Sequence, residues 1–267
     1  MVLPNAFGRD LDEIKKTGTL HLCYVPWFGD DTQAEYPSPD HEIALGFAKS
    51  LNLKVNARAI KWDQQFDKLP NQPAHRSTPD IKTFCDMFST NMAHLDWRLE
   101  QLNITWNYSG RSVVFIKSKR LKEFTSPKDL EGKLTSVVPG TSYHNWLVDF
   151  NESRPEKKKI RIQSKPDGGN LSLLKSDRID FVIMGSTMAL HTTRHIDPEL
   201  EYAFGIGNPV KAGWGVPKTS PQLFRAAQAY VDHAKTDPHS EMNRVFTKYF
   251  GINAMKYHEL QFMITTK

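Results

Sequence analysis

Apolar residues recur along the chain with two spacings, one typical of helices and one typical of strands. From Asp40 onwards, Ile43, Phe47 and Leu51 lie four positions apart, which places them on one face of a helix. The short apolar run 20–25 lies next to polar segments and predicts a buried strand. The same criteria predict further strands at 53–60, 112–116, 134–138, 179–184 and 212–216, and helices at 11–17, 143–150, 170–176, 186–193, 221–235 and 240–250. Strands that alternate with helices predict parallel sheets covered on both faces, which is the α/β fold class.

Length and composition are those of an ordinary globular protein. The 267 residues are enough for one large domain or for two lobes, and contents of 39% hydrophobic and 24% charged residues are typical. The net charge of +5 is mild, and the basic residues are scattered apart from the cluster 157–161, which is interpreted as a solvated loop. Charge therefore gives no reason to expect a nucleic-acid partner. No apolar run approaches the roughly 20 residues that a membrane span needs.

The two cysteines, Cys23 and Cys85, are too few for a disulfide scaffold. They have no CxxC spacing, so they predict neither a zinc site nor a redox motif. Both lie in apolar, strand-like runs, which favours buried free thiols; a single bridge between neighbouring strands is the alternative. We expect no metal and no cofactor.

Several segments, in a fixed order, carry a resemblance to a known family. They are DHEIALGFAKSLNLKV from Asp40, SPKDLEGKLTSVVPGTS from Ser126 and SDRIDFVIMGS from Ser176, flanked by LDEIKKTGTLHLCYV near the start and FTKYFGI near the end. Together they resemble the type 2 periplasmic solute-binding proteins of the amino-acid-binding kind, bacterial extracellular solute-binding family 3. That family is related to the non-catalytic lobe pair of some membrane-bound lytic transglycosylases. The resemblance covers nearly the whole chain.

The resemblance implies a two-lobed α/β fold, periplasmic-binding-protein-like and of type 2, with a two-strand hinge. Lobe 1 is expected to comprise residues 1–107 and 212–267, and lobe 2 residues 108–211. Hinge closure of two such lobes on a ligand is well precedented. We expect a monomer that closes on its ligand.

Arg98 is the residue to which the resemblance assigns the main contact with the ligand. In the family, an aspartate begins a strand, and the arginine that clamps the ligand carboxylate follows twelve positions later. Asp86 and Arg98 have this spacing. A guanidinium suits the task because it is planar, forked and always charged. The alternative interpretation is a solvated surface charge, and Arg111 is the rival candidate for the clamp.

The polar run Ser89, Thr90 and Asn91 is expected to contribute to the same site. It follows the apolar segment that begins at Phe84, and the resemblance places it at the carboxyl end of a strand, where ligands of α/β sheets bind. The family usually has a threonine-rich turn before the arginine. Ala93 and Leu95 stand in those places here, so the hydroxyl groups that would assist the carboxylate are missing.

The second lobe is expected to bind with Gly140, Thr141 and Ser142, which match the family's Gly-Thr element. They would offer backbone N–H groups near a helix start and two hydroxyls, which suits an anion. The family's aspartate that pairs with the ligand α-ammonium is replaced by Gly185. This replacement predicts a solute that is not a simple zwitterionic amino acid. Aromatic walls of the site are expected from Trp27, Phe28 and Trp62, for which ordinary half-buried packing is the alternative.

The function implied is binding of a small carboxylate-bearing solute for ABC-type uptake. Its partners would be the solute and an ABC-transporter permease or a membrane sensor. Residues 1–9 lack a basic start followed by an apolar core. The resemblance implies a periplasmic location, so we expect a protein whose leader has been removed.

Two alternatives to transport stay open. One is a ligand-sensing or regulatory domain related to the lytic transglycosylases, which would bind peptide or cell-wall fragments. The other is a dehydratase-like enzyme on the same fold, with His94 as the one histidine to test as an acid or base and a polar turn residue as its simpler interpretation. The sequence has no nucleophile elbow, P-loop or HExxH motif, so no catalytic residue is predicted and the chain is not expected to be an enzyme.

Overall fold

The computed structural model describes residues 8–28, 35–36, 38–66, 79–165 and 170–263. Its helices are α1 (Leu11–Thr17), α2 (Pro39–Ser50), α3 (Pro79–Phe84), α4 (Asp96–Gln101), α5 (Ser142–Glu152), α6 (Asn170–Lys175), α7 (Ser186–His191), α8 (Pro221–Thr236), α9 (Glu241–Phe250) and α10 (Ala254–Met263). Its strands are β1 (Thr19–Tyr24), β2 (Trp27–Phe28), β3 (Glu35–Tyr36), β4 (Lys54–Ala59), β5 (Met87–Ala93), β6 (Leu102–Ile104), β7 (Tyr108–Lys117), β8 (Leu134–Val137), β9 (Arg161–Ser164), β10 (Val182–Gly185) and β11 (Leu200–Pro217). Within the described residues, no helix is both long enough and apolar enough to cross a membrane.

The chain divides into two compact units. Of the described residues, the first unit contains 8–27, 38–66, 79–109 and 210–263, and the second contains 28, 35–36, 110–165 and 170–209. The chain leaves the first unit within β7 and returns to it within β11. The first unit is therefore assembled from separate stretches of sequence, whereas most of the second is one stretch.

The first unit contains a mixed sheet with the strand order β4-β1-β5-β11, and β6 also pairs with β11. β1 runs parallel to both β4 and β5, as the alternation of strands and helices predicts. β11 runs antiparallel to β5 and to β6. The prediction of purely parallel sheets is therefore wrong, because β11 carries the chain back into this unit in the opposite direction.

The second unit buries both faces of its strand β7. Val113 and Phe115 belong to one buried cluster, and Val114 and Ile116 belong to another. This alternation follows from the two-residue period of a strand. β7 pairs antiparallel with β10, while β8 and β9 form a separate parallel pair.

The first two helices are capped by side chains, and the first ends at a glycine. Asp10 and Glu13 form a capping box at the start of α1, and Gly18 ends the helix with a φ of 67°, which a residue without Cβ adopts at little cost. The hydroxyl of Ser38 caps α2 by accepting a hydrogen bond from the backbone of His41.

Cys23 and Cys85 form a disulfide bond, so the interpretation of both as buried free thiols is wrong. Cys23 lies in β1 and Cys85 lies just before β5, the strand that pairs with β1. Their Cα atoms are 5.6 Å apart, the ordinary separation for a bridge, and both residues are fully buried. The alternative of a bridge between neighbouring strands is the correct one.

Candidate functional site

Arg98 lies in α4 and is 1% exposed, which excludes the interpretation as a solvated surface charge. Its guanidinium carbon lies 5.2 Å from the ring centroids of Trp62 and Phe66 and 5.0 Å from that of Trp97. Aromatic faces attract cations at such distances, more strongly when water is excluded. Arg98 is therefore a buried cation within an aromatic surround in the first unit.

Hydrogen bonds connect this surround to the end of β5. Nη1 of Arg98 donates to the carbonyl of Ala93, the last residue of β5, at 3.3 Å. Gln65 donates from Nε2 to the carbonyl of Trp62 at 3.1 Å and accepts a hydrogen bond from the Thr90 hydroxyl at 2.6 Å. The short 3₁₀ helix 62–65 and strand β5 therefore hold the guanidinium and one of its rings in place.

Ser89 and Thr90 are buried, and their hydroxyls hydrogen-bond within the first unit. Ser89 Oγ lies 2.9 Å from Nδ1 of His41 and 3.4 Å from the carbonyl oxygen of Cys23. Ser89 is 0% exposed and Thr90 is 2% exposed, whereas Asn91 is half-buried. These contacts are those of residues that hold strand β5 in the unit, and direct contact of the run with a solute stays a prediction.

His94 makes a hydrogen bond that fixes its tautomer. Its Nε2 lies 3.0 Å from the carbonyl oxygen of Thr105, and because a carbonyl only accepts, Nε2 carries the hydrogen. Burial lowers the pKa of His94, the hydrogen bond to Thr105 opposes this, and the charge of Lys211 lowers it further. His94 is thus a neutral side chain that links the end of β5 to residue 105.

Asp40 is a buried carboxyl group that sequence reasoning assigned only to a family motif. It is 1% exposed, and burial raises its pKa to about 7, against the opposing effects of the Tyr108 hydroxyl and the Asn107 amide. The Tyr108 hydroxyl donates to its Oδ2 at 2.9 Å, and Nε1 of Trp214 donates to its carbonyl at 3.2 Å. Asp40 therefore contacts residues of β7 and β11 in the first unit. The sequence signal was an acidic residue in the first turn of a predicted helix; the structure adds that Pro39 and His41 on either side of it are buried.

His41, next to Asp40, is also buried and has the opposite shift. Burial lowers its pKa to about 4, and its ring stacks on that of Tyr24 at 4.2 Å between centroids. At neutral pH this side chain is uncharged. The first unit thus holds a neutral histidine beside a carboxyl group that is also uncharged below about pH 7.

In the second unit, Gly140, Thr141 and Ser142 lie at the start of α5, as the family element predicts. Gly140 has a φ of 78°, a conformation that favours glycine, and it is buried. Thr141 caps the helix: its Oγ1 accepts from the backbone of His144 at 3.2 Å and donates to the carbonyl of Val138 at 2.8 Å. Ser142, the first residue of α5, is half-buried. The positive end of the helix dipole lies at these residues.

Gly185 ends β10 and lies immediately before α7. A Cβ atom placed on it would lie 3.1 Å from the hydroxyl oxygen of Tyr143, a residue of the first turn of α5 that the sequence did not single out. The hydroxyl of the next residue, Ser186, accepts a hydrogen bond from the backbone N–H of Arg111 at 3.2 Å. The second unit thus brings the start of α5 and the end of β10 together.

Arg111, the rival candidate for the clamp, lies in β7, and its side chain packs against Gly205 of β11. Its Nε donates to the carbonyl of Gly207 at 3.0 Å, and a Cβ on Gly205 would lie 2.6 Å from that Nε.

Of the predicted aromatic residues, Trp27 and Phe28 form β2, which pairs with β3, and their side chains lie outside the described part of the chain. Among the described residues, no group of three or more His, Cys, Asp or Glu is arranged to hold a metal ion.

No family model matches the chain. The chain is 21% identical over 259 residues to the membrane-bound lytic murein transglycosylase F of Nitrosospira multiformis, which corresponds to 92% of this chain and 49% of that protein. It is 23% identical over 267 residues to the L-cystine-binding protein TcyA of Bacillus subtilis, or 94% of this chain and 89% of that protein. The chain therefore spans about half the length of the transglycosylase and most of the length of the cystine-binding protein.

Solved structures share the fold. The ancestral amino acid-binding protein AncCDT-1, a precursor of cyclohexadienyl dehydratase, superposes with a TM-score of 0.73 at 19% identity, covering 90% of this chain and 99% of that chain. An amino acid ABC transporter substrate-binding protein of Streptococcus pneumoniae, AbpA bound to L-arginine, has a TM-score of 0.69 at 18% identity, covering 96% and 100%. The resemblance and the fold class are thereby confirmed: the chain has the two-lobed α/β fold of the type 2 periplasmic binding proteins.

Proposed function

We propose that the chain is a solute-binding protein for ABC-type uptake, that it binds a small carboxylate-bearing solute, and that its two units close on that solute. The observation that carries the proposal is the guanidinium of Arg98, held within a surround of three aromatic rings in the first unit. A charged group held in this way is pre-organised for a carboxylate, because its charge and its position are set before the ligand arrives.

The relatives and the disulfide support this proposal. One relative is an L-cystine-binding protein of nearly the same length, and one structural neighbour is the substrate-binding protein of an amino acid ABC transporter. The bond between Cys23 and Cys85 suits an oxidising compartment, which supports a location in the periplasm. We propose an ABC-transporter permease as the macromolecular partner and a monomer as the functional form.

The first experiment is a thermal-shift screen that covers standard amino acids, organic acids, short peptides and muropeptides. A ligand at about a hundred times its Kd adds roughly 2.7 kcal/mol to the free energy of unfolding, which the screen detects. We expect stabilisation by carboxylates that carry no free α-ammonium group. Tight stabilisation by several standard amino acids would contradict the expected exclusion of a free α-ammonium group and would leave amino-acid binding as the function.

The second experiment tests Arg98 by titration calorimetry with the best solute from the screen. Arg98→Ala should weaken binding by about 2–5 kcal/mol, because the carboxylate loses its charged partner. Arg98→Lys should also bind weakly, since an ammonium cannot reproduce the planar fork. The exposed Arg225 gives the matched control: Arg225→Ala should bind like the parent. Unchanged affinity in Arg98→Ala would contradict the clamp, and Arg111→Ala would then be measured.

The transglycosylase relatives favour a second candidate, a sensing domain for peptide or cell-wall fragments. The likeness covers 92% of this chain but only 49% of the transglycosylase, so it concerns about half of a longer protein. The screen separates the two candidates, because stabilisation by muropeptides and not by small carboxylates would favour the sensing domain.

Catalysis of the dehydratase kind has less support. The candidate acid or base, His94, binds a backbone carbonyl through Nε2, and burial lowers its pKa. This arrangement suits a neutral structural link more than a proton donor. We therefore propose binding, and His94→Gln should retain solute affinity within about 1 kcal/mol if it keeps the hydrogen bond to Thr105.

A further inference from the structure

Strand β9 lies at the edge of its sheet in the second unit. It pairs with β8 along its whole length. On the other side of β8, Thr135 bridges to Phe181, so β8 has neighbours on both sides. In the described part of the chain, no strand pairs with the far side of β9. That side presents backbone groups that a further strand can use.

The backbone groups of β9 face β8 and the outside in turn. The N–H groups of Arg161 and Lys165 donate to carbonyls of residues in or just before β8, at 2.8 and 2.9 Å. Because successive residues of a strand face opposite sides, Ile162 and Ser164 direct their N–H and C=O groups away from β8. Among the described residues, neither has a hydrogen-bond partner on that side.

The residue before β9 shows that this outward row accepts strand-like partners. Ile160 belongs to the same row, and the side chain of Asn151 binds both of its backbone groups. Nδ2 of Asn151 donates to the carbonyl of Ile160 at 2.8 Å, and Oδ1 accepts from its N–H at 2.8 Å. A carboxamide offers one kind of donor and one acceptor, as the backbone of a strand does. The row is therefore paired at its start and open at Ile162 and Ser164.

The stretch that contains this edge is strongly basic. Residues 154–165 contain six basic residues and one acidic residue, so their net charge of +5 equals that of the whole chain and the remainder sums to zero. Three of the six pair with Glu131 or Glu156. The other three, Lys157, Arg161 and Lys165, form no salt bridge within the described residues. The open edge therefore carries positive charge that its own unit does not neutralise.

The side chains of β9 divide into a polar face and an apolar face. Arg161 and Gln163 are exposed, and Lys165, two positions further, is half-buried. Ile162 lies on the opposite face and packs against a buried cluster of the second unit. An added strand matches this pattern when acidic side chains at alternate positions lie beside Arg161 and Lys165 and apolar ones lie beside Ile162.

We propose that β9 is a docking edge for an extended segment of a partner protein in which acidic and apolar residues alternate. The segment adds a strand to the sheet: its backbone pairs with Ile162 and Ser164, and its carboxylates lie beside Arg161 and Lys165. The open N–H and C=O groups favour this occupant over an anionic membrane, which would use the charges alone. None of these residues belongs to the proposed solute site, so the assignment goes beyond the proposed function.

The probe is a fluorescein-labelled peptide of seven residues in which Glu and Val alternate, with Glu at both ends and an amidated carboxyl terminus. Fluorescence anisotropy at low ionic strength follows its binding to the full chain and to variants whose Tm is measured alongside. A second peptide of the same sequence has every amide nitrogen methylated, so that it keeps its carboxylates and loses its N–H groups.

Two pairs of variants separate the backbone from the charge. Ser164→Pro removes one outward N–H and keeps the bonds to β8, and edge strands accept proline at such a position. Ser164→Ala, which keeps the N–H, is its control. Arg161→Gln with Lys165→Gln removes two charges from the edge. Lys122→Gln with Lys128→Gln removes two exposed charges elsewhere in the same unit and is the matched control.

We expect the parent to bind the peptide, and the affinity to fall about fivefold or more in Ser164→Pro and in the double variant of the edge. Fivefold is about the loss expected when one hydrogen bond is removed. Both controls should stay within about twofold of the parent. The methylated peptide should bind the parent about fivefold or more weakly, and this measurement decides the role of the backbone should Ser164→Pro not fold.

Absence of peptide binding by the parent overturns the assignment. Parent-like affinity of a folded Ser164→Pro, of the double variant of the edge or of the methylated peptide overturns it too. Lost binding in Arg98→Ala with none lost in Ser164→Pro would mean that the peptide enters the proposed solute site. Sedimentation of the parent with vesicles of phosphatidylcholine and phosphatidylglycerol, without affinity for the peptide, would show a membrane-binding surface instead.

Discussion

In the first unit, Arg98 carries a full charge inside a surround of three aromatic rings, whereas in the second unit the start of α5 presents hydroxyls and backbone N–H groups beside Gly185. The first region relies on a buried charge that large side chains hold in place. The second relies on a helix start and on space left by a glycine. Under the proposed function, the charge of the solute would be bound in the first unit, and the second would contribute hydroxyls and backbone N–H groups at a helix start.

The disulfide makes the first unit the more constrained of the two, and its removal has the largest expected effect. Cys23→Ala with Cys85→Ala opens a loop of 62 residues, and the loss of this constraint on the unfolded chain should lower the free energy of unfolding by about 4 kcal/mol. Denaturant unfolding measures the loss, and reduction of the parent should reproduce it. Hydrogen exchange by segment should show more opening in the first unit than in the second. Equal opening in both would show that the disulfide does not constrain the first unit more than the second.

Arg98 is expected to contribute to stability as well as to binding. Arg98→Ala removes contacts with three rings and a hydrogen bond to Ala93, so we expect a loss of about 3 kcal/mol in the free energy of unfolding. Urea unfolding of the variant and of the control Arg225→Ala measures the difference. A loss below about 0.5 kcal/mol, the scale of surface substitutions, would show that the aromatic surround does not stabilise the charge.

Asp40 and His41 should give stability profiles of opposite slope. The pKa of Asp40 is raised to about 7 in the folded state, so its stabilising effect is present below about pH 4 and disappears as the pH rises to about 7. The pKa of His41 is lowered to about 4, so its effect is present above about pH 6.5 and disappears as the pH falls to about 4. In the parent, the two changes largely cancel over the common range.

Single variants should reveal each slope at about 1.4 kcal/mol per pH unit. Relative to the parent, Asp40→Asn should become more stable as the pH rises from about 4 to about 7, and His41→Asn should become less stable from about 4 to about 6.5. Urea unfolding at half-unit steps of pH measures both. Two profiles parallel to that of the parent would mean that neither group titrates inside the first unit.

The smallest effect concerns the second unit. Thr141→Ala removes the cap of α5, which should cost about 1 kcal/mol of stability, while Thr141→Ser keeps the oxygen and should restore most of it. Thermal unfolding of the three proteins measures this. If Thr141→Ser loses as much as Thr141→Ala, the methyl group and not the cap matters here, and the description of the second unit as a site built on a helix start is weakened.

The sequence predicted the elements that have strong local signals. Ile43 and Phe47 are buried on one face of α2, as their spacing indicates, and Gly18 and Gly251 end their helices with positive φ. Helix α10 was missed because it lacks a clear apolar face. Strand β9, with the sequence RIQS, was missed because Ile162 is its one apolar residue. Periodicity cannot reveal elements that lack it.

The candidate site was predictable only in part, because its key contacts join residues far apart in the chain. The family spacing pointed to Arg98, but nothing local announces that the ring of Phe66 lies beside its guanidinium. Two cysteines without a spacing pattern did not decide between thiols and a bridge. The contact of Tyr143 with position 185 likewise depends on the way β10 and α5 pack.

The division of the first unit into separate stretches of sequence sets an order for its folding during synthesis. Residues 110–209 of the second unit have nearly all their partners once that stretch has left the ribosome, so this unit can fold early. The first unit must wait for 210–263, because β11 completes its sheet next to β5 and α9 packs on α2. Its strands β1, β4 and β5 are therefore exposed while the intervening residues are made, at about 5–20 residues per second. A factor that shields sheet edges would act on this half of the nascent chain.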